Sequence, residues 1–198
     1  MNMNIEEILG KNFISDEYNR EIVPEIYNYF FRGDGKLDSK RGILLIGKIG
    51  CGKTRLMKNF SDYLMWRNEA GKFRIYNVRK VQWDFVKNGY DGIQQYMNNP
   101  TSQGEHPNDI CFDDLGTELR SVKNFGNDIA VMEEVLYARY ELFPKKKTHL
   151  ITNLDIDSLK ERYSERLVSR FREMFNVVNL PGEDRRNTQY KINEKLAK

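Results

Sequence analysis

The stretch GILLIGKIGCGKT, residues 42–54, limits this chain more than any other. An apolar run ends on Gly47, and Gly50, Gly52, Lys53 and Thr54 follow at the spacing G-x-x-x-x-G-K-[ST], with Gly50 as an extra glycine inside it. Glycines let successive main-chain N–H groups curl around an anion. A lysine at this position reaches the outer phosphates of a nucleotide, and the hydroxyl after it holds Mg²⁺. A helix starting there aims its positive end at the same phosphates. The turn Gly47, Lys48, Ile49, Gly50, Cys51, Gly52, Lys53, Thr54 and Arg55 is therefore the expected nucleotide-binding segment, with Thr54 as a Mg²⁺ ligand. Cys51 reads as packing or spacer, not as a nucleophile. The plain alternative is an ordinary glycine turn.

The rest of the chain suits a strand–loop–helix unit of this kind. Four further short apolar runs follow: FRIYNV (73–78), DICFDD (109–114), THLITN (148–153) and FNVVNL (175–180). With GILLIG (42–47) they make five expected strands, most without polar alternation, as in a parallel sheet covered on both faces. Helical spacing lies between them. Leu56, Phe60 and Leu64 form one stripe, Ile129, Met132, Leu136 and Phe143 a second, and Leu167, Phe171 and Met174 a third. Residues 14–32 read as a separate amphipathic helix through Ile22, Ile26 and Phe30, with Pro24 near its start or at a break. RGDGK (32–36) reads as a turn, 99–109 as a loop, and KKK (145–147) as a solvated loop. The expected class is an α/β fold with a mostly parallel sheet.

Composition narrows the setting. The 198 residues fit one domain with short extensions. No apolar run reaches bilayer length, and the acidic start MNMNIEEILG lacks the pattern of a signal peptide. Two cysteines without paired spacing point to a reducing, cytoplasmic compartment. A net charge of +3, from 32 basic and 29 acidic residues, is too balanced to argue for nucleic acid by itself.

Three further constellations carry chemistry. In DICFDDLG, Asp113 and Asp114 end an apolar run, where one carboxylate suits Mg²⁺ and the next suits polarising a water; the alternative is two acids capping a turn. Asn153 ends the fourth run, either beside a terminal phosphate or as a turn residue. Arg166 and Arg170 stand four apart on one helix face, either as a solvated pair or as a source of positive charge for a neighbouring subunit's site.

Taken together, GKIGCGKT, FDDLGTE, THLITNLD and ERYSERLVSRFREMF resemble the AAA+ ATPases of the DnaC/IstB type, the helicase loaders and transposition helper ATPases, over roughly residues 40–182. The resemblance implies a P-loop fold with sheet order 5-1-4-3-2 and ATP hydrolysis across subunit interfaces. It implies Lys53 and Thr54 as Walker A, Asp113 (metal) and Asp114 (catalytic) as Walker B, Asn153 as sensor 1 and Arg170 as arginine finger. The division it suggests is an N-terminal helical segment (1–40), an ATPase core (41–182) and a polar tail (183–198), without a C-terminal lid; Arg185 and Arg186 are the arginines placed to approach the nucleotide instead. Implied partners are further copies of the chain, single-stranded DNA, and a replicative helicase or transposase, with no membrane. The segment VRKVQWDFVKNGY (78–90) falls where related initiators insert a DNA-contacting helix. It mixes basic and aromatic residues fit for stacking on bases, or reads as an amphipathic helix with Val81 and Phe85 inward. Two other readings stay open: a small-molecule kinase built on the same loop, and a slow, nucleotide-gated clamp, since Asp114 is a methylene shorter than glutamate.

Overall fold

The computed structural model describes residues 5–10, 15–97 and 109–186. Five parallel strands form its centre: β1 (Gly42–Ile46), β2 (Phe73–Asn77), β3 (Asp109–Leu115), β6 (Thr148–Thr152) and β7 (Phe175–Asn179). Between β3 and β6 lies a small antiparallel hairpin, β4 (Val122–Asn124) and β5 (Asn127–Ile129). The sheet order is β2-β3-β6-β1-β7. With the hairpin strands left out of the numbering, that reads 5-1-4-3-2 from the β7 edge. The interior strand β1 is buried along both faces, which is why its sequence is a continuous apolar run.

Two apolar layers sandwich the sheet. On one side α1 (Ile5–Leu9), α2 (Ile22–Phe31) and α3 (Lys53–Trp66) enclose Ile26, Met57, Phe60 and Leu64 with Ile43, Leu45 and Phe73. Each such side chain contributes about 1.5–3 kcal/mol by leaving water. The N-terminal helices thus share one core with the glycine-loop helix. On the other side α4 (Val78–Met97), α5 (Val131–Glu141) and α7 (Glu165–Met174) enclose Val81, Phe85, Leu136, Leu167 and Phe171. The short α6 (Ile156–Arg162) leads into α7. No helix among the described residues is long and apolar enough to cross a membrane.

Several expectations need correction. Ile129 and Phe143 fall outside the helix expected to hold them: Ile129 ends β5 and Phe143 follows α5. The buried positions of α5 are Val131, Met132, Val135, Leu136 and, unexpectedly, Arg139. The helix expected over 14–32 begins only at Ile22, with Pro24 in its first turn, where a missing N–H costs nothing. Lys147 is not simply solvated: its N–H donates to Asp109 Oδ1 at 2.8 Å, and its ammonium lies 5.2 Å from the centre of the Tyr29 ring. Gly89 takes φ 59°, ψ −144° and kinks α4. Apart from Asp109, the loop over 99–109 lies outside the described residues, as does the tail from 187.

One core residue makes stability depend on pH. His149 on β6 is fully buried among the rings of Tyr29, Phe30 and Phe73, and its Nδ1 accepts the Ile43 N–H at 3.1 Å. Burial, with Lys147 and Arg139 nearby, pushes its pKa well below the usual value. The unfolded chain gains a proton near the ordinary histidine pKa while the native state does not, so stability falls as pH drops through that range. Between about pH 7.5 and pH 5.5 the wild type is expected to lose about 1.4 kcal/mol more than His149→Gln, read from denaturant midpoints. Equal losses in both proteins would refute this.

Candidate functional site: a phosphate loop and its acidic neighbours

The parallel register brings the carboxyl ends of β1, β3 and β6 side by side, and loops leave the sheet there, the usual place for a ligand in an open α/β fold. After β1 the chain turns through Gly47–Gly52 into α3. Gly50 and Gly52 hold φ of 78° and 103°, which side chains rarely tolerate. Gly52 caps α3 without any side-chain hydrogen bond, so the first N–H groups of the helix are left for another acceptor. Gly47 is needed for a different reason. A Cβ there would lie 2.3 Å from the Leu180 carbonyl oxygen, because the chain after β7 crosses directly behind the loop. That crossing segment is bonded in place: Leu180 N–H to the Ile46 carbonyl at 2.7 Å, and Arg185 N–H to the Gly50 carbonyl at 3.2 Å.

Lys53 is buried with its ammonium aimed along the loop. It donates to the Gly47 carbonyl (2.7 Å), the Lys48 carbonyl (2.8 Å) and Asn153 Oδ1 (2.7 Å). Burial lowers its pKa, opposed by Cys51 and the two aspartates. The Cys51 thiol is itself buried and donates to the Leu180 carbonyl at 3.4 Å, in keeping with a packing role. Lys48 and Ile49 stand exposed on the outer turn, where Lys48 pairs with Glu183 at 3.2 Å. Arg55 is exposed on the first turn of α3.

The acidic pair owes its aim to a bulge. Pairing of β3 with β6 steps from Phe112↔Leu150 to Leu115↔Thr152, three residues against two. Consecutive side chains of a regular strand face opposite sides; the extra residue, with Asp114 at φ 60°, breaks that alternation. Asp113 Oδ1 accepts the Thr54 hydroxyl at 3.0 Å, while Asp114 lines the cleft and its Oδ2 accepts Asn77 Nδ2 at 3.0 Å. Burial and then Asp114 raise the Asp113 pKa. The Thr54–Asp113 pair fits Mg²⁺: two hard oxygen donors lie side by side at 3.0 Å. Mg²⁺ sites characteristically use one or two carboxylates and complete the shell with water and phosphate.

Thr54 borders a cleft of about 750 Å³, with Asp113 set just behind it. Gly50–Arg55, Asp114 and Asn153 line its phosphate-loop side; Asn19, Val23, Leu56, Asn59 and Leu180 line the remainder, together with Arg185 and Arg186. Arg185 also reaches Asp16 at 2.7 Å and ties the crossing segment to the turn before α2. Arg170 is not among the lining residues; it stands on α7 against α5, its guanidinium over Tyr137 and Tyr140. Sequence reasoning missed Asn77, Asn19 and Glu118. Asn77 carried the signal used for Asn153, a polar residue at the tip of an apolar run. Glu118 is buried, accepting the Gly116 N–H at 2.9 Å and the Tyr163 hydroxyl at 2.5 Å, and had no such signal.

Comparison with solved structures places this architecture. The chain matches the replication initiator DnaA bound to AMPPCP and single-stranded DNA (20% identity, 87% of this chain and 49% of that one, TM-score 0.61). It matches a putative primosome component from Streptococcus pyogenes serotype M3 (18% identity, 87% and 85%, TM-score 0.62). It also matches the DnaC helicase loader (16% identity, 87% and 95%, TM-score 0.63). The chain spans about half the length of the two AMPPCP-bound DnaA structures it matches. No protein-family model matches the sequence, and no curated protein does. The chain shares the fold of these DnaA and DnaC structures, and its sheet order is the one that the sequence resemblance implied.

The close approach at Gly47 yields a test. Gly47→Ala is expected to cost about 2 kcal/mol, because the backbone oxygen of Leu180 cannot rotate away as a side chain would. Chemical denaturation reads this directly, and an unshifted midpoint would contradict the packing described.

Proposed function

We propose that this chain is a Mg²⁺-dependent ATPase of the helicase-loader kind, acting as an oligomer on single-stranded DNA or on a DNA-bound partner. The observation that carries it is the convergence of Lys53, Thr54, Asp113, Asp114 and Asn153, from three separate strand ends, on one glycine loop. In this reading the α- and β-phosphates sit on the N–H groups of the loop and of α3. Lys53 exchanges a loop carbonyl for a β/γ-phosphate oxygen, and Asn153 keeps its ammonium aimed. Thr54 and Asp113 hold the metal, which when bound neutralises charge on the phosphates. Asp114 orients the attacking water and accepts its proton. Arg170 acts on the nucleotide of the adjacent copy, consistent with its place away from its own cleft.

A second reading shares this site. Asp114 is already hydrogen-bonded to Asn77 and has a shorter reach than glutamate. These features favour slow hydrolysis that awaits a trigger, so that the bound nucleotide serves as a clamp. Phosphate release with and without single-stranded DNA separates the two, and a phosphorylated small-molecule acceptor would replace both with a kinase. Lys53→Ala is expected to abolish binding of a fluorescent ATP analogue. Arg170→Ala is expected to leave binding by dilute subunits unchanged while lowering turnover at assembling concentrations at least a hundredfold. Full turnover by Arg170→Ala would remove the trans role.

DNA binding is proposed for the outer face of α4. Trp83, Val86, Lys87 and Tyr90 are exposed there, and Lys87 Nζ lies 5.4 Å from the Trp83 ring centre. Leu119 exchanges two hydrogen bonds with Gln82, at 2.9 and 3.0 Å, and Asn124 approaches Gly89, so the hairpin and the segment before it pack beside that face. Phe125 at its tip is fully exposed with φ 48°, a conformation bulky residues seldom take. Exposed rings among Lys87, Arg120 and Lys123 suit bases and phosphates. Trp83→Ala is expected to weaken binding of an oligo-dT probe about fivefold or more by fluorescence anisotropy, and unchanged affinity would remove Trp83 from the DNA surface.

A further inference from the structure

Three arginines between residues 162 and 170 have different fates. Arg162 is nearly buried, 3.4 Å from a Glu118 carboxylate oxygen, and donates to the Glu118 carbonyl as well. Arg166 is exposed on α7. Arg170 is half-buried, its guanidinium carbon 4.1 Å from the Tyr140 ring centre and 4.9 Å from that of Tyr137. Both rings are fixed by their hydroxyls. Tyr140 donates to Glu173 Oε2 at 3.0 Å, and the Tyr137 hydroxyl pairs with Ser164 Oγ at 2.9 Å. Ser164 is held in turn by Glu133, through its N–H at 3.0 Å and its hydroxyl at 2.7 Å. Glu173 lies one helical turn beyond Arg170 and would be its natural ion-pair partner. It takes the tyrosine hydroxyl instead, and no ion pair among the described residues includes Arg170.

Stacking holds a guanidinium by its flat faces and leaves its five N–H donors free in the plane. An arginine that only glued α5 to α7 would direct those donors at a carboxylate or carbonyl of the seam. We propose that Tyr140 and Tyr137 are positioning residues: they clamp Arg170 by its faces and present its edge to the phosphates of a nucleotide on a neighbouring copy of the chain. The clamp removes rotamer freedom from a long side chain before the neighbour arrives and shields the charge from water, so less is lost when the phosphate is engaged. This rests on the trans-arginine reading above.

The test measures phosphate release by the full chain across a series of protein concentrations. Tyr140→Leu is expected to lower kcat at assembling concentrations about tenfold or more, with KM for ATP and the dilute subunit's affinity for a fluorescent ATP analogue within about twofold of wild type. Tyr140→Phe, which keeps the ring, is expected to retain most of the turnover when both Tyr140 variants are compared in a Glu173→Gln background, where no carboxylate is freed to pair with Arg170. Tyr140→Leu combined with Arg170→Ala should be no slower than Arg170→Ala alone. Mixing Tyr140→Leu subunits, whose own clefts are intact, with Lys53→Ala subunits, whose clamps are intact, should restore turnover. Wild-type kcat in Tyr140→Leu, equal losses in Tyr140→Leu and Tyr140→Phe in the Glu173→Gln background, or losses additive with Arg170→Ala would overturn the clamp while leaving the arginine's own role standing. Wild-type turnover independent of protein concentration would overturn the trans-arginine reading and the clamp with it. Should Tyr140→Leu fail to fold, Tyr137→Leu supplies the same comparison.

Discussion

The Lys53 ammonium is the point on which this site turns. It is a buried charge, and its hydrogen-bonded oxygens are neutral: two loop carbonyls and the amide of Asn153. Burying a cation is costly unless charge of opposite sign comes close. Asp113 and Asp114 favour the charged form from a distance, yet burial still lowers the lysine's pKa. A polyphosphate on the loop would supply the missing negative charge at the place the lysine already faces. The surrounding framework keeps that demand in place. Strand β1 is locked on both sides by β6 and β7, Gly52 leaves the start of α3 uncapped, and the Leu180 crossing supports the loop from behind.

A second consequence of the sheet is that a short run of hydrogen bonds joins the cleft to the start of α4. Asn77 is the last residue of β2 and immediately precedes α4. Its amide nitrogen donates to Asp114 and its oxygen accepts the Arg79 N–H at 2.9 Å, in the first turn of that helix. Arg79 Nε in turn donates to the Thr117 carbonyl at 3.2 Å, just past the acidic pair. A shift of α4 would therefore reach the Asp114 carboxylate through one side chain. The bulge that re-aims Asp114 and the kink at Gly89 put unusual backbone at both ends of this route.

The sheet and the turn geometry of the glycine loop were readable because they depend on local pattern. Unbroken apolar runs are what doubly covered strands need, and glycines before Lys53 and Thr54 have few uses beyond a tight anion turn. The parts that escaped depend on long-range pairing. The hairpin is only three residues per strand, with an exposed phenylalanine in its turn, and nothing in VKNFGNDI offers the apolar alternation expected of a strand. Ile129 kept the helical period of α5 by coincidence. Arg139 sits fully buried in α5 because Thr148 Oγ1 and the Lys147 carbonyl receive it, and both arrive from β6 and the turn before it. The bulge at 113–114 is invisible in one strand alone, since it exists only relative to β6.

Charge follows the same logic. The near-neutral total of +3 says little, because the structure divides basic residues by what receives them. Arg139 and Arg162 are consumed in the interior, Lys147 is half-covered against Asp109 and Tyr29, and Lys53 is committed to the loop. Lys87 on Trp83 and Arg170 on two tyrosines remain accessible with ring partners, as do Arg32 on Tyr27 and Arg67 on Trp66. A cation held against a ring is kept from full hydration without being neutralised, so it retains its attraction for an incoming anion. Two of these cations, Lys87 on α4 and Arg170 on the seam of α5 and α7, are the ones that the proposed function would set against phosphate groups from outside this subunit.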